Sequence, residues 1–501
     1  MTKYDYIVVG GGTAGSVLAA RLSEQPDLRV LMLEAGARDP HPSVAVPQDH
    51  FLLRRSAFSW GENTVVQTAT GTATALPRGR GLGGSSAINA MLYMRGHRSS
   101  YDAWVEQGAK GWGFDDLLPY FRRSETAADR NPGLRGQSGP VVVGPADSPN
   151  PVLAACLDAA VEAGHRLAED ISGGVEEGFG WSDLNIVAGV RQSASDAYLT
   201  PEVLARPNLS VVTNALVRRI EVVAGRAVGV EYSTGGGPFI AEAGREVVLA
   251  AGTIGSAKLM MLSGLGPADH LRDIDVELVH DLPGVGSNLQ DHPITAMVYE
   301  AAREVPAARN NHGEALGLVR TDPSLTGPDL QILFVDVPML PTGAPRYGFT
   351  IRSAVMRPHS RGTVRLADGH FTTAPLLDPN YFGDERDFAT MLRGIRMVRE
   401  IAAAPALAGW RRAEVAPGPD VTDDEQLRAY VGRTLTSYSH PIGTCKIGGD
   451  DQSVVDTELR VHGIEGLRIA DASVMPSLPS GNTNATVYAI AERAAGLLLG
   501  R

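Results

Sequence analysis

The stretch that most constrains this chain is Tyr4 to Gly15, YDYIVVGGGTAG, a nucleotide cradle placed at the start of the sequence. Ile7, Val8 and Val9 supply a short buried strand. Gly10, Gly12 and Gly15 follow with the spacing G-x-G-x-x-G, one glycine for the tight turn, one for close approach of backbone to a pyrophosphate, one for helix-on-strand packing. The next segment keeps Val17, Leu18 and Leu22 at helical spacing, so a helix N-terminus with free N–H groups points at the phosphates. A second apolar run, Val30 to Leu33, ends in Glu34, nineteen residues beyond Gly15 and close to the interval at which a carboxylate meets a ribose diol. Strand, glycines, helix, strand and acid in this order predict a site for an adenine dinucleotide.

A chain of 501 residues exceeds what a single core usually serves, so two domains, possible as interleaved segments, are expected. The net charge of −12 and the absence of a basic run argue against a nucleic-acid partner. Cys156 and Cys445 suggest neither a disulfide framework nor a zinc site, and a reducing compartment is the simpler expectation. HExxH and paired CxxC motifs are absent, so no metal is expected. The amino end enters the first strand without a secretory signal, and no uninterrupted apolar stretch reaches the roughly 18 residues that span a bilayer. A cytoplasmic protein without membrane attachment follows as the expectation.

Beyond the opening unit, residues 36–76 lose periodicity and read as an excursion across the bound ligand, with Trp60 in it. They lead into PRGRGLGGSSAINAMLYMRG at 77–96, whose small residues let backbone lie against a flat or phosphorylated ligand. The aromatic group at 101–126, with Trp104, Trp112, Phe114, Tyr120 and Phe121, reads as packing. A helix is expected over 151–163. Runs at 209–212, 217–222 and 227–232 suit an antiparallel meander inserted in a dinucleotide fold, and a buried strand at 246–250 runs into a helix. From about 293 to 425 the pattern alternates with period two, for example Phe349, Ile351, Ser353 and Val355, which predicts a sheet with one face covered. Residues 384–402 read as a helix, Leu467 to Ala470 as a strand, and the last helix as starting near Asn484.

These motifs resemble the glucose-methanol-choline (GMC) flavin oxidoreductases along the whole chain. GRGLGGSSAIN at 79–89 looks like the first family signature and GTIGSAKLMMLSGLGP at 252–267 like the second, with NLQDHP at 288–293, HPIGTC at 440–445 and DASVMP through GNTN at 471–484 adding matches. The resemblance implies an α/β fold in which a Rossmann-like FAD-binding domain is interleaved with a smaller α+β substrate domain built on an antiparallel sheet. The expected boundaries are 1–145, 206–292 and 462–501 for the FAD-binding part, and 146–205 with 293–461 for the substrate part. Carried over by position, the FAD contacts are Gly10, Gly12, Thr13, Ala14, Gly15, Glu34, Ala35, Trp60, Gly84, Ser85, Asn89, Ala90, Met91, Val217, Asp471, Ala472 and Asn482. Ile88 stands where some choline-oxidising members carry the histidine that attaches FAD, so the flavin is expected to be non-covalent. Ser439 separates Tyr438 from the HP motif, where many relatives place an aromatic residue directly before it.

An alcohol must lose its hydroxyl proton as the carbinol hydride leaves for flavin N5, which calls for a neutral imidazole within reach of the oxygen. His440 resembles the family base, with Asn484 as the partner bonding the same oxygen, whereas His292 reads as a structural residue. The implied activity is oxidation of a primary alcohol, aromatic ones included, to the aldehyde, with oxygen or another acceptor reoxidising the flavin. A hydroxynitrile-type lyase and a photodecarboxylase are the alternatives on this fold. Choline would call for an aromatic and acidic cage, and residues 293–360 offer aromatics with scattered arginines instead.

Overall fold

The computed structural model describes residues 3–38, 41–340 and 342–501. Its first sheet grows from the opening motif. Strand β1 (Lys3–Val9) turns at Gly10 into helix α1 (Thr13–Leu22), which crosses over to β2 (Val30–Leu33), parallel to β1 with Val8 opposite Met32. This right-handed crossover leaves the helix N-terminus at the carboxyl edge of the sheet, where open α/β sheets bind ligands. The sheet continues with β3 (Leu209–Val212), β4 (Leu216–Val223), β5 (Arg226–Thr234) and β6 (Gly237–Leu249) in the order β3–β2–β1–β6–β5–β4, and the strand Leu467–Ile469 also pairs with β6.

Strand β6 does two jobs along its length. Residues Gly237 to Glu242 pair antiparallel with β5, and Glu246 to Leu249 run parallel to β1. The meander expected from sequence is therefore β4, β5 and β6, while Leu209–Val212 leaves it to pair parallel with β2. Which neighbour an isolated apolar run pairs with is not carried by its own period, and this one takes the sheet edge.

The second sheet is antiparallel. With β7 (Pro293–Ala301), β8 (Ala315–Val319), β9 (Leu330–Val335), β10 (Gly348–Val355) and β11 (Arg411–Ala416), its order is β11–β7–β10–β9–β8 followed by the short strand Gly178–Trp181. The expectation of one covered face is corrected here, because every residue of β10 is buried. One face packs under the helix Glu385–Ala403 through Met391, Leu392, Ile395 and Val398. The other face lies against the rest of the molecule, where Leu92 and Met94 meet Leu316, Leu333 and Val335.

Two details place the functional residues. Ser437 pairs with Pro293 at the start of β7, which draws residues 438–440 alongside His292. The final helix, Asn484–Leu498, is buried on nearly all sides and packs against α1, so two helix N-termini converge on one place. No helix among the described residues is long and apolar enough to cross a membrane.

Candidate active site

One continuous cavity runs between the sheets. At one end it is lined by Gly10, Gly12, Thr13, Ala14, Glu34, Ala35 and Val217, and at the other by Asn89, Ala90, Tyr438, His440, Asn482 and Asn484. Trp60, Gly84, Ser85, Asp471 and Ala472 line it as well. Both α1 and the last helix lack a side-chain N-cap, so their free backbone N–H groups open toward this space. The Thr13 hydroxyl donates to Asn484 Oδ1 at 2.8 Å and ties the two helix starts together. Around the glycines there is no slack: a Cβ on Gly84 would meet Gly12 Cα at 2.7 Å, while one on Gly12 meets nothing nearer than 3.8 Å. Of Gly10, Gly11, Gly12 and Gly15 in the opening motif, Gly12 is the one that faces open space, as close approach of a pyrophosphate requires. Glu34 accepts from the backbone N–H of Gly11 and of Gly36, both at 2.7 Å, which fixes its carboxylate at the tip of β2.

Two residues expected to contact the flavin do not line the cavity. Gly15 lies behind it, where a Cβ would overlap Gly10 O at 1.8 Å, so it serves packing of α1 on β1. Met91 is fully buried, its φ of 56° turning the side chain into the interior behind Ala90 while its N–H donates to Asn89 Oδ1 at 2.9 Å. A third correction concerns the asparagine pair. Asn482, not Asn484, stands against His440, with its Nδ2 3.2 Å from Nε2. Asn484 opens the last helix and is turned to Thr13, whereas Asn482 precedes the helix and reaches into the cavity.

His440 is held from three sides. Its N–H donates to Asp291 Oδ1 at 2.7 Å, the Tyr438 ring lies 4.4 Å from its own, and its Nδ1 is 2.9 Å from Nδ1 of His292. The neighbouring Ser439 has a φ of 65°, a left-handed conformation uncommon outside glycine, which the Asp291 contacts on both sides hold in place. Asp291 also accepts from the His292 N–H at 2.9 Å and from the hydroxyls of Tyr381 and Ser437. Burial pushes this carboxyl up to about 6, and with four donors on it the group is ionised at neutral pH.

The hydrogen-bond chain fixes the tautomer of the pair. The Met356 carbonyl can only accept, so His292 Nε2, 3.2 Å away, carries a proton. Nδ1 of His292 is then an acceptor, and His440 Nδ1 must donate to it. This leaves the lone pair of His440 on Nε2, the nitrogen beside Asn482 at the cavity. Burial lowers the pKa of His440 well below the usual imidazole value, helped by the neighbouring His292 ring and the Arg54 charge, and burial brings His292 down to about 3. Both rings are neutral. His292 is thus more than a packing residue, and its contact with His440 joins positions 148 apart in sequence.

The family described as GMC oxidoreductase matches residues 4–294 and again residues 358–491. The chain is 38% identical to an oxygen-dependent choline dehydrogenase of Brucella anthropi, over 99% of this chain and 96% of that protein. It is 38% identical to the mitochondrial choline dehydrogenase of Homo sapiens, over 100% of this chain and 90% of that one. Among solved structures, pyridoxine 4-oxidase from Mesorbium loti superposes with a TM-score of 0.96 at 35% identity, covering 99% of both chains.

Proposed function

The chain belongs to the GMC oxidoreductase family, and from that premise we propose that it oxidises a primary alcohol to the aldehyde with non-covalent FAD, His440 acting as the base. The observation that carries this reading is the unprotonated Nε2 of a neutral, buried imidazole at the end of the cavity opposite the glycine cradle. The cavity suits the cofactor on its own terms. Two uncapped helix N-termini favour anionic groups, Gly12 leaves room for a pyrophosphate, and Glu34 stands where a ribose would lie. Bound there, FAD would supply a hydride acceptor at its N5.

The remaining work falls to the chain itself. His440 Nε2 takes the hydroxyl proton, because desolvation keeps it neutral and His292 holds it in the right tautomer. The Asn482 amide donates toward the same oxygen and orients it, and it screens the alkoxide character that develops as the proton leaves. Asp291 fixes the backbone of both histidines, so their separation does not depend on the substrate.

A panel of primary alcohols tests the proposal. On anaerobic mixing at least one alcohol bleaches the flavin, and in air the same alcohol yields aldehyde, with peroxide marking oxygen as the acceptor. A flavin that no alcohol bleaches would sink the assignment. Attachment is checked separately: Ile88 lines the cavity with an aliphatic side chain that offers no nucleophile, so acid precipitation is expected to leave the yellow colour in the supernatant. Colour that stays with the pellet would mean a covalent link.

A further inference from the structure

The catalytic end of the cavity carries positive charge that no carboxylate among the described residues neutralises. Arg54, at the end of the short helix His50–Leu53, lines the cavity and is close enough to His440 for its charge to oppose protonation there. Among the described residues it has no ion pair, and the only group offsetting its desolvation is the Tyr438 hydroxyl. Behind Tyr438, on β10, stands Arg352, 7% exposed. It donates from Nη2 to Thr436 Oγ1 at 2.9 Å, its Nε is buried without a partner, and the Arg54 charge depresses its pKa further. No carboxylate among the described residues compensates either guanidinium. The acids nearby are occupied: Asp291 holds Tyr381 and Ser437, and Asp336 holds His312.

Two like charges placed together without a counter-ion, one buried and one half-buried, are costly unless a ligand supplies one. Unpartnered polar atoms gather at the same place, namely Tyr438 Oη, Ser439 Oγ and Asn482 Oδ1. Among the other described buried arginines, Arg95, Arg135 and Arg468 meet carboxylates, whereas Arg191 has none and donates to the carbonyls of Val44, Ser86 and Asn89. Arg95 and Arg135 share Glu125, and Arg135 also meets Asp170 and Asp183. Among the described residues Arg54 has neither a carboxylate nor a carbonyl bonded to it, and it lines the reacting end of the cavity.

We infer that the substrate is an alcohol carrying a carboxylate, which Arg54 binds with Arg352 behind it while the hydroxyl end lies at His440 and Asn482. Guanidinium matches carboxylate as a planar fork, with charge-assisted bonds roughly twice as strong as neutral ones. A quaternary ammonium meets the opposite conditions here, with two fixed cations where it needs acids and open aromatic faces. Choline is therefore a poor substrate for this chain. The inference rests on the alcohol-oxidation reading for the step it serves, and it adds what the rest of the substrate carries.

The test compares 4-(hydroxymethyl)benzoate with benzyl alcohol and with choline on the FAD-loaded enzyme. The carboxylate raises kcat/KM over benzyl alcohol by about 10- to 100-fold, through KM more than kcat, and choline is the worst of the three. In Arg54→Gln that ratio collapses toward one, and Arg54→Lys restores part of it. Benzoate, which cannot be oxidised, perturbs the flavin absorbance of the wild-type protein and loses this binding in Arg54→Gln. Equal use of the two benzylic alcohols, a preference for choline, or a ratio untouched by Arg54→Gln overturns the inference and leaves the alcohol-oxidation reading standing. If no alcohol bleaches the flavin, that reading fails, and benzoate binding alone still decides whether the arginines hold a carboxylate.

Discussion

His440→Ala is expected to leave the protein yellow and to slow flavin reduction by its alcohol about 10²- to 10⁴-fold. The flavin stays because the groups that would hold it, from Gly10 to Val217 and at the two helix N-termini, lie along the cavity apart from the imidazole. The rate falls because no other neutral base among the described residues lines that end: Tyr438 is pushed up to about 12 by burial, and His292 lies behind His440, outside the cavity lining. The pH dependence follows from the same environment. The active form is the neutral ring, and its pKa is lowered well below the usual 6.5, so the base stays unprotonated as pH falls through that value. Reduction measured by anaerobic stopped flow should hold nearly level from about pH 8 to about pH 6 and decline only below it. A rate unchanged in His440→Ala would require another base, and a decline centred on the ordinary imidazole value would mean that the ring is solvated in the working enzyme.

What could be read from the sequence divides along a physical line. The dinucleotide half is legible because its chemistry is local: Gly10, Gly12, Glu34 and the start of α1 lie within a few dozen residues, and each residue type answers a steric or electrostatic demand. His440 was equally visible within HPIGTC. Its surroundings were not, since Asp291 and His292 reach it only when Ser437 pairs with Pro293 across the sheet. The Asn482 and Asn484 exchange shows a finer limit. Both sit in GNTN, and which one meets the base depends on the exact start of the last helix, since Asn482, two residues before it, reaches His440 and Asn484, its first residue, is bonded to Thr13. The arginines are the least legible of all. Arg54 and Arg352 look like ordinary surface charges in sequence, and only the fold reveals that β10 is covered on both faces and that no acid among the described residues accompanies them.

Gly15→Ala and Gly12→Ala, three residues apart, should fail in different ways, and the difference tests how the opening motif works. Alanine at position 15 would gain helix propensity of about 1 kcal/mol in α1. Its Cβ, however, would fall 1.8 Å from Gly10 O and 2.9 Å from Gly10 C, both backbone atoms. Gly10 cannot yield, since it occupies a φ of 107° with Ala250 O only 2.5 Å from where its own Cβ would be. The helix must lift off β1, and overpacking of this kind costs about 1–3 kcal/mol or more, so the apo-protein unfolds at lower temperature and purifies with little or no flavin. At Gly12 the added methyl meets nothing closer than Gly84 Cα at 3.8 Å, so the fold tolerates it and the apo-protein keeps its Tm. The same methyl projects where the pyrophosphate would approach α1, and FAD affinity, measured by titrating the apo-protein, should fall by at least about tenfold, or 1.4 kcal/mol. The two glycines therefore separate into one that the fold needs with or without FAD and one that matters only when FAD is present. Loss of apo stability in Gly12→Ala, or full flavin content in Gly15→Ala, would reverse that division and with it the reading of the motif as packing at one end and phosphate approach at the other.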